Sequence, residues 1–392
     1  ARDHVVLERR PRLGGGWQDR WDAFRLVSPN WTTSFAGDPY DGTDPDGFMP
    51  RDEVAARVAG YAERSGAPVA LETEVRRLVP RDGGFTVETN DTPIRARNVV
   101  VATGGFHVPS IPAIGSQLPR RITQLHSHAY RREADLPPGA VLVVGSGQSG
   151  VQIAEELAEA GRSVFLSVGS AGRVPRRYRG RDIFRWLHAL VTEGPARGVT
   201  LPSVDTLPDP RMRSAGNPHL SGHGGGHETN LRRFAAEGRM TLVGRMESVS
   251  GERVTLADDL PARLAFADAF FPERFQPLIE AFIERADLDV PADDREPFAH
   301  DPEVLRTLDL AREGIGTVLW TTGYRRDYGW IDAPVTDELG FPRQRRGVAE
   351  LPGLYFIGSL WLVNQGSATL FGVGVDAAEL ASAMGLPPLE AA

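Results

Sequence analysis

The segment VLVVGSGQSGVQIAEEL, Val141 to Leu157, constrains this chain more than any other. Four consecutive apolar residues ending at Val144 read as a buried strand, and the apolar spacing from Val151 to Glu159 reads as a helix. Between them the glycines fall in the order G-x-G-x-x-G, and a second apolar strand follows from Ser163 to Val168, completing a β-turn-α-β unit. Each glycine has a physical reason in such a unit. Gly145 permits the tight turn, Gly147 lets backbone approach a pyrophosphate, and Gly150 allows the helix to pack closely on the strand. The helix N-terminus favours phosphate charge, so Gly145, Ser146, Gly147, Gln148, Ser149 and Gly150 are expected to hold a dinucleotide.

The end of the second strand points to which dinucleotide. An NAD site would place a carboxylate there for the ribose 2′-hydroxyl, and Ser167, Val168 and Gly169 supply none. Arg173, Arg176, Arg177 and Arg179 follow, and guanidinium forks suit a 2′-phosphate. NADPH is the expected cofactor, with Arg173 and Arg176 on its phosphate. The plain alternative is a solvated arginine face.

A second, weaker unit stands near the start. His4-Val5-Val6-Leu7-Glu8 is an apolar strand closing in a carboxylate, followed by Pro11 and the Gly14-Gly15-Gly16-Trp17 turn. Glu8 is placed as a ribose-binding acid would be; a surface glutamate before a turn is the alternative. Three more strand ends close in Thr103-Gly104, Thr322-Gly323 and Gly358, and their spacing around the inserted unit suggests one sheet built from both ends of the chain. The expected fold is α/β with two Rossmann-like dinucleotide-binding domains.

Composition narrows the chemistry. The 392 residues contain no cysteine, which removes thiol nucleophiles, dithiol redox pairs and zinc-thiolate sites. All 44 basic residues are arginine, so Schiff-base lysines and a P-loop lysine are also absent. Electron transfer must use a bound cofactor. The net charge of -8 disfavours nucleic acid, and no run approaches the roughly 20 apolar residues of a membrane helix. A cytoplasmic location and no membrane partner are the expectations.

The ordered motifs VLERRPRLGGGW, WDAFRLVSP, VVVATGGFHVPSIP, VLVVGSGQSGVQIAEEL, LWTTGYRRD and PGLYFIGS resemble the class B flavin monooxygenases, a group that includes flavin-containing monooxygenases, the YUCCA enzymes and bacterial CzcO-like flavoproteins. The resemblance implies that Glu8 and Arg9 hold the adenosine half of FAD. It implies that Gly15, Gly16 and Trp17 approach the flavin, and that Thr103, Gly104 and Gly358 line its diphosphate and ring. The implied domains are FAD-binding at 1–135 and 316–392, and NAD(P)H-binding at 136–315 with an excursion over 200–235. The implied reaction is NADPH-dependent transfer of one oxygen atom from O2, through a flavin C4a-hydroperoxide, to a small organic substrate. Asn30 is the implied catalytic residue.

The chain departs from the family pattern at three points. A first G-x-G-x-x-G loop would be expected ahead of Asp3. The fingerprint F-x-G-x-x-x-H-x-x-x-Y keeps only His126 and Tyr130, and Tyr130 in place of tryptophan disfavours Baeyer-Villiger chemistry. The place of Asn30 in SPNW matches the family asparagine to within one position. His219, His223 and His227 recur every fourth residue, as ligands on one helix face would. Gly222, Gly224, Gly225 and Gly226 argue against a helix, so a loop lining the substrate pocket is expected and no metal site is. Two other functions stay open: a flavin oxidoreductase or oxidase without oxygen transfer, and a nucleotide-sensing flavoprotein without catalysis.

Overall fold

A computed structural model describes residues 3–386. Its framework along the chain is β1 (Val6–Leu7), α1 (Arg51–Arg64), β2 (Val69–Ala70), β3 (Val99–Val101), β4 (Thr123–His126), β5 (Ala140–Val144), α2 (Gln148–Glu159), β6 (Val164–Ser167), β7 (Arg177–Tyr178), β8 (Arg181–Asp182), α3 (Ile183–Thr192), β9 (Thr241–Val243), α4 (Leu260–Arg274), β10 (Ile315–Trp320) and β11 (Leu354–Phe356).

The five strands β9-β6-β5-β10-β4 form one sheet in that order, and every pairing in it is parallel. Parallel sheets are covered on both faces, which is why β5 and β10 are nearly continuous apolar runs. Alternate residues divide between the two layers. Val141, Val143, Val164, Leu166 and Leu319 pack on one side with Val151, Ala154 and Leu157 of α2. Leu142, Val144, Phe165, Val318 and Trp320 pack on the other. Trp21 and Phe24 join the α2 layer, so the N-terminal segment is packed onto the nucleotide unit.

This sheet takes in β4 and β10, which lie outside the limits expected at 135/136 and 315/316. The reason is register: β10 slots between β5 and β4, with Val318 opposite both Leu142 and Gln124. We accordingly place the limits of this domain near residues 120 and 322. The strand ending in Thr322-Gly323 thus belongs to the NADPH-type sheet, separate from the strands that end at Thr103-Gly104 and Gly358. Those two, β3 and β11, pair in parallel with Leu354 opposite Val99. β1 pairs only β2 among the described residues, leaving Val5 and Val6 45% exposed, and Val100 of β3 is 41% exposed. Among the described residues no helix is long and apolar enough to cross a membrane.

Residues 200–230 carry only short 3-10 turns, at Pro210–Ser214 and His223–Gly225, before a helix at Leu231–Ala236 closes the excursion. Ser203 bridges Asn364, and the Val204 amide donates to the Val363 carbonyl at 2.8 Å. The excursion and the 359–371 segment therefore meet.

One buried polar pair beneath α2 is sensitive to pH. Tyr130, 1% exposed, donates its hydroxyl to Glu156 Oε1 at 2.9 Å, while Glu156 Oε2 is buried without a partner. Burial pushes the Glu156 carboxyl from 4.5 up to about 7. A raised native pKa means the folded state holds the proton more tightly, so this stabilisation is complete below about pH 4.5 and is lost as pH rises through 7. Glu156→Gln keeps an acceptor for Tyr130 and cannot ionise. Urea midpoints should show it close to the parent at pH 5 and more stable than the parent at pH 8; an advantage that fails to grow with pH would contradict this account.

Candidate functional site

The chain leaves β5 through Gly145 at φ 104°, a conformation that side chains rarely adopt. A Cβ at Gly145 would stand 2.9 Å from the Thr321 carbonyl oxygen, and one at Gly150 would stand 2.0 Å from the Gly145 carbonyl oxygen. Packing alone therefore demands glycine at both places. Gly147 differs: a Cβ there would meet nothing within 4 Å. It is also the N-cap of α2, and no side chain caps that helix, so its first amides are left to an anionic ligand. The geometry fits a pyrophosphate.

Neighbouring groups hold this loop rigid. The Thr321 hydroxyl donates to the Gly145 carbonyl at 2.5 Å. Buried Ser146 accepts the Gly169 amide at 2.9 Å, joining the ends of β5 and β6. From the excursion, His219 Nε2 donates to the Ser146 carbonyl, and Gln148 exchanges two hydrogen bonds with the Leu220 backbone. Burial pushes the His219 imidazole down to about 4, so it is neutral while it grips the loop. Ser149 lies half-buried in the first turn of α2. Sequence reasoning placed His219 in a pocket-lining loop and missed its contact, and that of Leu220, with the glycine loop, because nothing local says where a long loop lands.

The three histidines part company. His219 goes to the glycine loop, His223 Nε2 lies 3.1 Å from Glu159, and His227 Nε2 lies 2.9 Å from buried Glu155. The Glu155 hydrogen bond raises the His227 pKa against the opposing pull of burial. These pairs fasten the excursion to the flank of α2.

Arg173 and Arg176, expected on a 2′-phosphate, are otherwise engaged. Arg173 is paired with Glu228 and, at 2.8 Å, with Asp268. Arg176 is 6% exposed, reaches Asp182 at 3.3 Å, and donates to the carbonyls of Val27 and Ser221 at 2.9 Å each. It stitches three segments together beneath the surface. At the end of β6 the structure places Ser170 and Arg263 instead. Arg263, from α4, donates to the Ser170 hydroxyl and pairs with Asp259 at 3.1 Å.

The second cluster gathers residues from both ends of the chain. Glu8 accepts the Arg10 amide at 2.8 Å, and exposed Arg9 lies beside it. Gly14, at φ 108°, approaches the α1 backbone so closely that a Cβ would stand 3.0 Å from the Ala55 carbonyl oxygen. Gly15 and Gly16 start a 3-10 turn that carries Trp17. Gly104 and Gly358 close β3 and β11 at φ 69° and 70°, and a Cβ on Gly104 would lie 4.0 Å from the Gly358 carbonyl oxygen. Thr103 is exposed beside them.

Two unexpected residues complete this cluster. Arg20 has its guanidinium 5.7 Å from the Trp17 ring and 5.9 Å from the Phe106 ring, and its Nε is buried without a partner. His107 leaves Nε2 buried without a partner near Gly104. Orphaned donors between two glycine turns fit an anionic dinucleotide such as FAD. Asn30, by contrast, is bonded at both ends of its amide: Nδ2 donates to the Asp44 carbonyl at 2.9 Å and Oδ1 accepts the Met49 amide at 2.7 Å. Its side chain fastens the 44–49 loop, and one Nδ2 hydrogen stays outside these two bonds. His126 accepts the His128 amide on Nδ1 at 3.1 Å and reaches the Gly323 carbonyl from Nε2 at 2.9 Å.

Comparison with known proteins agrees with this arrangement. Residues 3–193 match the family described as pyridine nucleotide-disulphide oxidoreductase. The chain is 31% identical over 375 residues to a CzcO-like oxidoreductase of Geobacillus kaustophilus, covering 95% of this chain and 88% of that protein. It is 28% identical over 374 residues to the CzcO oxidoreductase of Bacillus subtilis, covering 95% and 89%. A flavin-containing monooxygenase from Stenotrophomonas maltophilia shares the fold with a TM-score of 0.60 at 20% identity, over 97% of this chain and 90% of that one. A cadaverine monooxygenase of Erwinia amylovora, solved with FAD bound, has a TM-score of 0.60 at 15% identity, over 99% and 90%.

The three loop glycines should separate by experiment. Gly150→Ala forces an atom into occupied space and should cost about 1–3 kcal/mol of unfolding free energy. Gly147→Ala should keep stability to within about 1 kcal/mol of the parent, since only a cap preference changes. It should nonetheless weaken NADPH binding about tenfold or more, that is by about 1.4 kcal/mol. Calorimetry showing parent-like NADPH affinity for Gly147→Ala would remove the ligand reason for that glycine.

Proposed function

The chain belongs to the CzcO-like oxidoreductases, and on that premise we propose that it is an FAD-dependent, NADPH-oxidising monooxygenase. NADPH supplies two electrons; one atom of O2 enters a small organic substrate and the other leaves as water. One observation carries the reading: the same chain presents two nucleotide-type glycine sites, the open Gly147 loop on β5 and the facing pair Gly104 and Gly358 on β3 and β11.

The roles follow from position. Gly145, Ser146, Gly147, Gln148, Ser149 and Gly150 cradle the NADPH pyrophosphate at the start of α2. Ser170 and Arg263 take the 2′-phosphate at the end of β6, in place of Arg173 and Arg176, whose carboxylate and carbonyl partners occupy them. Glu8 and Arg9 hold the FAD adenosine, with Gly15, Gly16, Trp17, Thr103, Gly104 and Gly358 along the rest of the cofactor. Arg20 gives its unpartnered Nε to the same cofactor. FAD, when bound, supplies a hydride acceptor and a centre that activates O2. The excursion and the 359–371 segment, which meet at Ser203 and Asn364, close over the cleft and exclude water.

A second reading has one observation in its favour. Asn30 has both ends of its amide bonded to backbone, which makes it a loop fastener and leaves a single Nδ2 hydrogen for the step the family resemblance assigns to it. That favours an NADPH oxidase, which releases reduced oxygen without transferring it.

Protein made from the complete coding sequence should purify yellow and oxidise NADPH under oxygen. With 18O2 and a panel of amine, sulfide and ketone acceptors, mass spectrometry should find one labelled atom in a product. Hydrogen peroxide formed in equal amount to NADPH consumed, with every acceptor, would establish the oxidase reading instead. Arg263→Gln should raise the NADPH KM about tenfold, a loss of about 1.4 kcal/mol, and leave the NADH KM unchanged. Equal effects on both nucleotides would take Arg263 off the 2′-phosphate.

A further inference from the structure

Within the excursion, His227 uses both of its ring nitrogens. Nδ1 meets the His223 carbonyl oxygen at 3.2 Å, and Nε2 meets the two Glu155 carboxylate oxygens at 2.9 and 3.1 Å. The carbonyl can only accept. Glu155 is 3% exposed, and its Oε1 also takes a hydrogen from Arg239 Nη2 at 3.0 Å, as an ionised carboxylate would. A neutral imidazole has one N–H and can serve one of these two sites; the imidazolium serves both. His219 is the contrast. It gives its Nε2 hydrogen to the Ser146 carbonyl while Nδ1 is buried without a partner, so a neutral ring suffices there.

The segment that His227 closes reaches the phosphate cradle at its other end. Residues 219–227 double back on themselves: the Ser221 amide donates to the His227 carbonyl at 3.1 Å, and the His227 amide returns a bond to Ser221 at 3.0 Å. One end touches the cradle, with His219 on Ser146 and the Leu220 backbone on Gln148. The other end lies along the flank of α2. The charged groups around it are Glu155 and Glu159 of α2, Arg239 beyond the Leu231–Ala236 helix, and Glu228, which Arg173 answers. Arg176 donates to the Ser221 carbonyl at 2.9 Å. Loss of the His227 proton leaves buried Glu155 to Arg239 alone, or the His223 carbonyl without its donor.

We propose that His227 is a proton-operated latch: its imidazolium holds the 219–227 loop against α2 and so keeps the phosphate cradle ordered for NADPH, whose affinity falls when the proton is lost. The inference rests on reading the Gly145–Gly150 loop as the NADPH site. The Glu155 hydrogen bond raises the imidazole above its ordinary 6.5, against the opposing pull of burial. A raised native value makes the latch complete below 6.5 and loses it as pH rises through that value. His219, pushed down by burial to about 4, stays neutral throughout this window.

Two measurements test the latch in protein made from the complete coding sequence. Both use the Glu156→Gln background, which removes a carboxyl on the same helix that titrates at about 7. Without nucleotide, hydrogen-exchange protection of residues 219–227, corrected for the intrinsic rate, should fall about fivefold or more between pH 6.5 and pH 9. Calorimetry should show NADPH affinity falling by a similar factor. His227→Gln should be flat in both at the parent's high-pH level, and His227→Arg, a fixed cation, flat at its low-pH level. A parent without pH dependence, or either variant retaining the parent's, would overturn the latch. Protection that falls with pH while NADPH affinity stays constant would overturn its coupling to the cradle. No NADPH binding at any pH would overturn the nucleotide reading of the loop, and the coupling with it.

Discussion

The closeness of the Gly145 turn to Thr321 is the constraint on which the rest depends. Thr321 follows β10, so its hydroxyl and carbonyl can crowd Gly145 and Gly150 only if β10 lies directly beside β5. That adjacency places the reversal of strand order at β5, with β6 and β9 on one side and β10 and β4 on the other. Open α/β sheets bind ligands at such a reversal, outside the carboxyl ends of the strands. The contact that forbids side chains at Gly145 and Gly150 therefore also creates the crevice into which Gly147 opens.

Much of the sheet was legible because burial on both faces leaves a plain pattern. The runs at Val141–Val144 and Val318–Trp320 are apolar at consecutive positions, and the glycine spacing marks where the first one turns. What escaped was decided by pairing rather than by local sequence. The segment Thr123–His126 reads Thr-Gln-Leu-His, with little to mark a strand, and becomes one because β10 offers its free edge. Two helices were not foreseen. In α4 Pro272 reads as a breaker although the helix runs through it to Arg274, and α3 begins directly from the strand residue Asp182, which caps it by accepting the Phe184 amide at 2.8 Å. In the candidate site the glycines were legible, because backbone conformation is written into residue type. The side-chain partners were not: His219, Leu220 and Arg263 arrive from segments 70 or more positions away from the groups they hold.

The arginines show why position in sequence was a poor guide to role. In a chain with 44 arginines and no lysine, an arginine close to a nucleotide strand end is commonplace, and most are held by a nearby acid or carbonyl. Arg173 and Arg176 lie in the right stretch of sequence and are both consumed in fastening the excursion and the Val27 segment to the nucleotide domain. That fastening has its own value. It carries the backbone of Leu220 to Gln148 and so links the shape of the long loop to the shape of the phosphate cradle.

A guanidinium becomes informative when its partners fail to account for it. Burying a cation without a partner is costly, so one retained in that state points to a group that arrives later. By that measure Arg20, with a buried idle Nε among Trp17, Phe24 and Phe106, says more about the flavin side than any exposed arginine near Glu8. Arg263 is the intermediate case. Asp259 takes its Nε and Ser170 one terminal nitrogen, so the fork is oriented at the strand end and keeps its remaining donors for a phosphate.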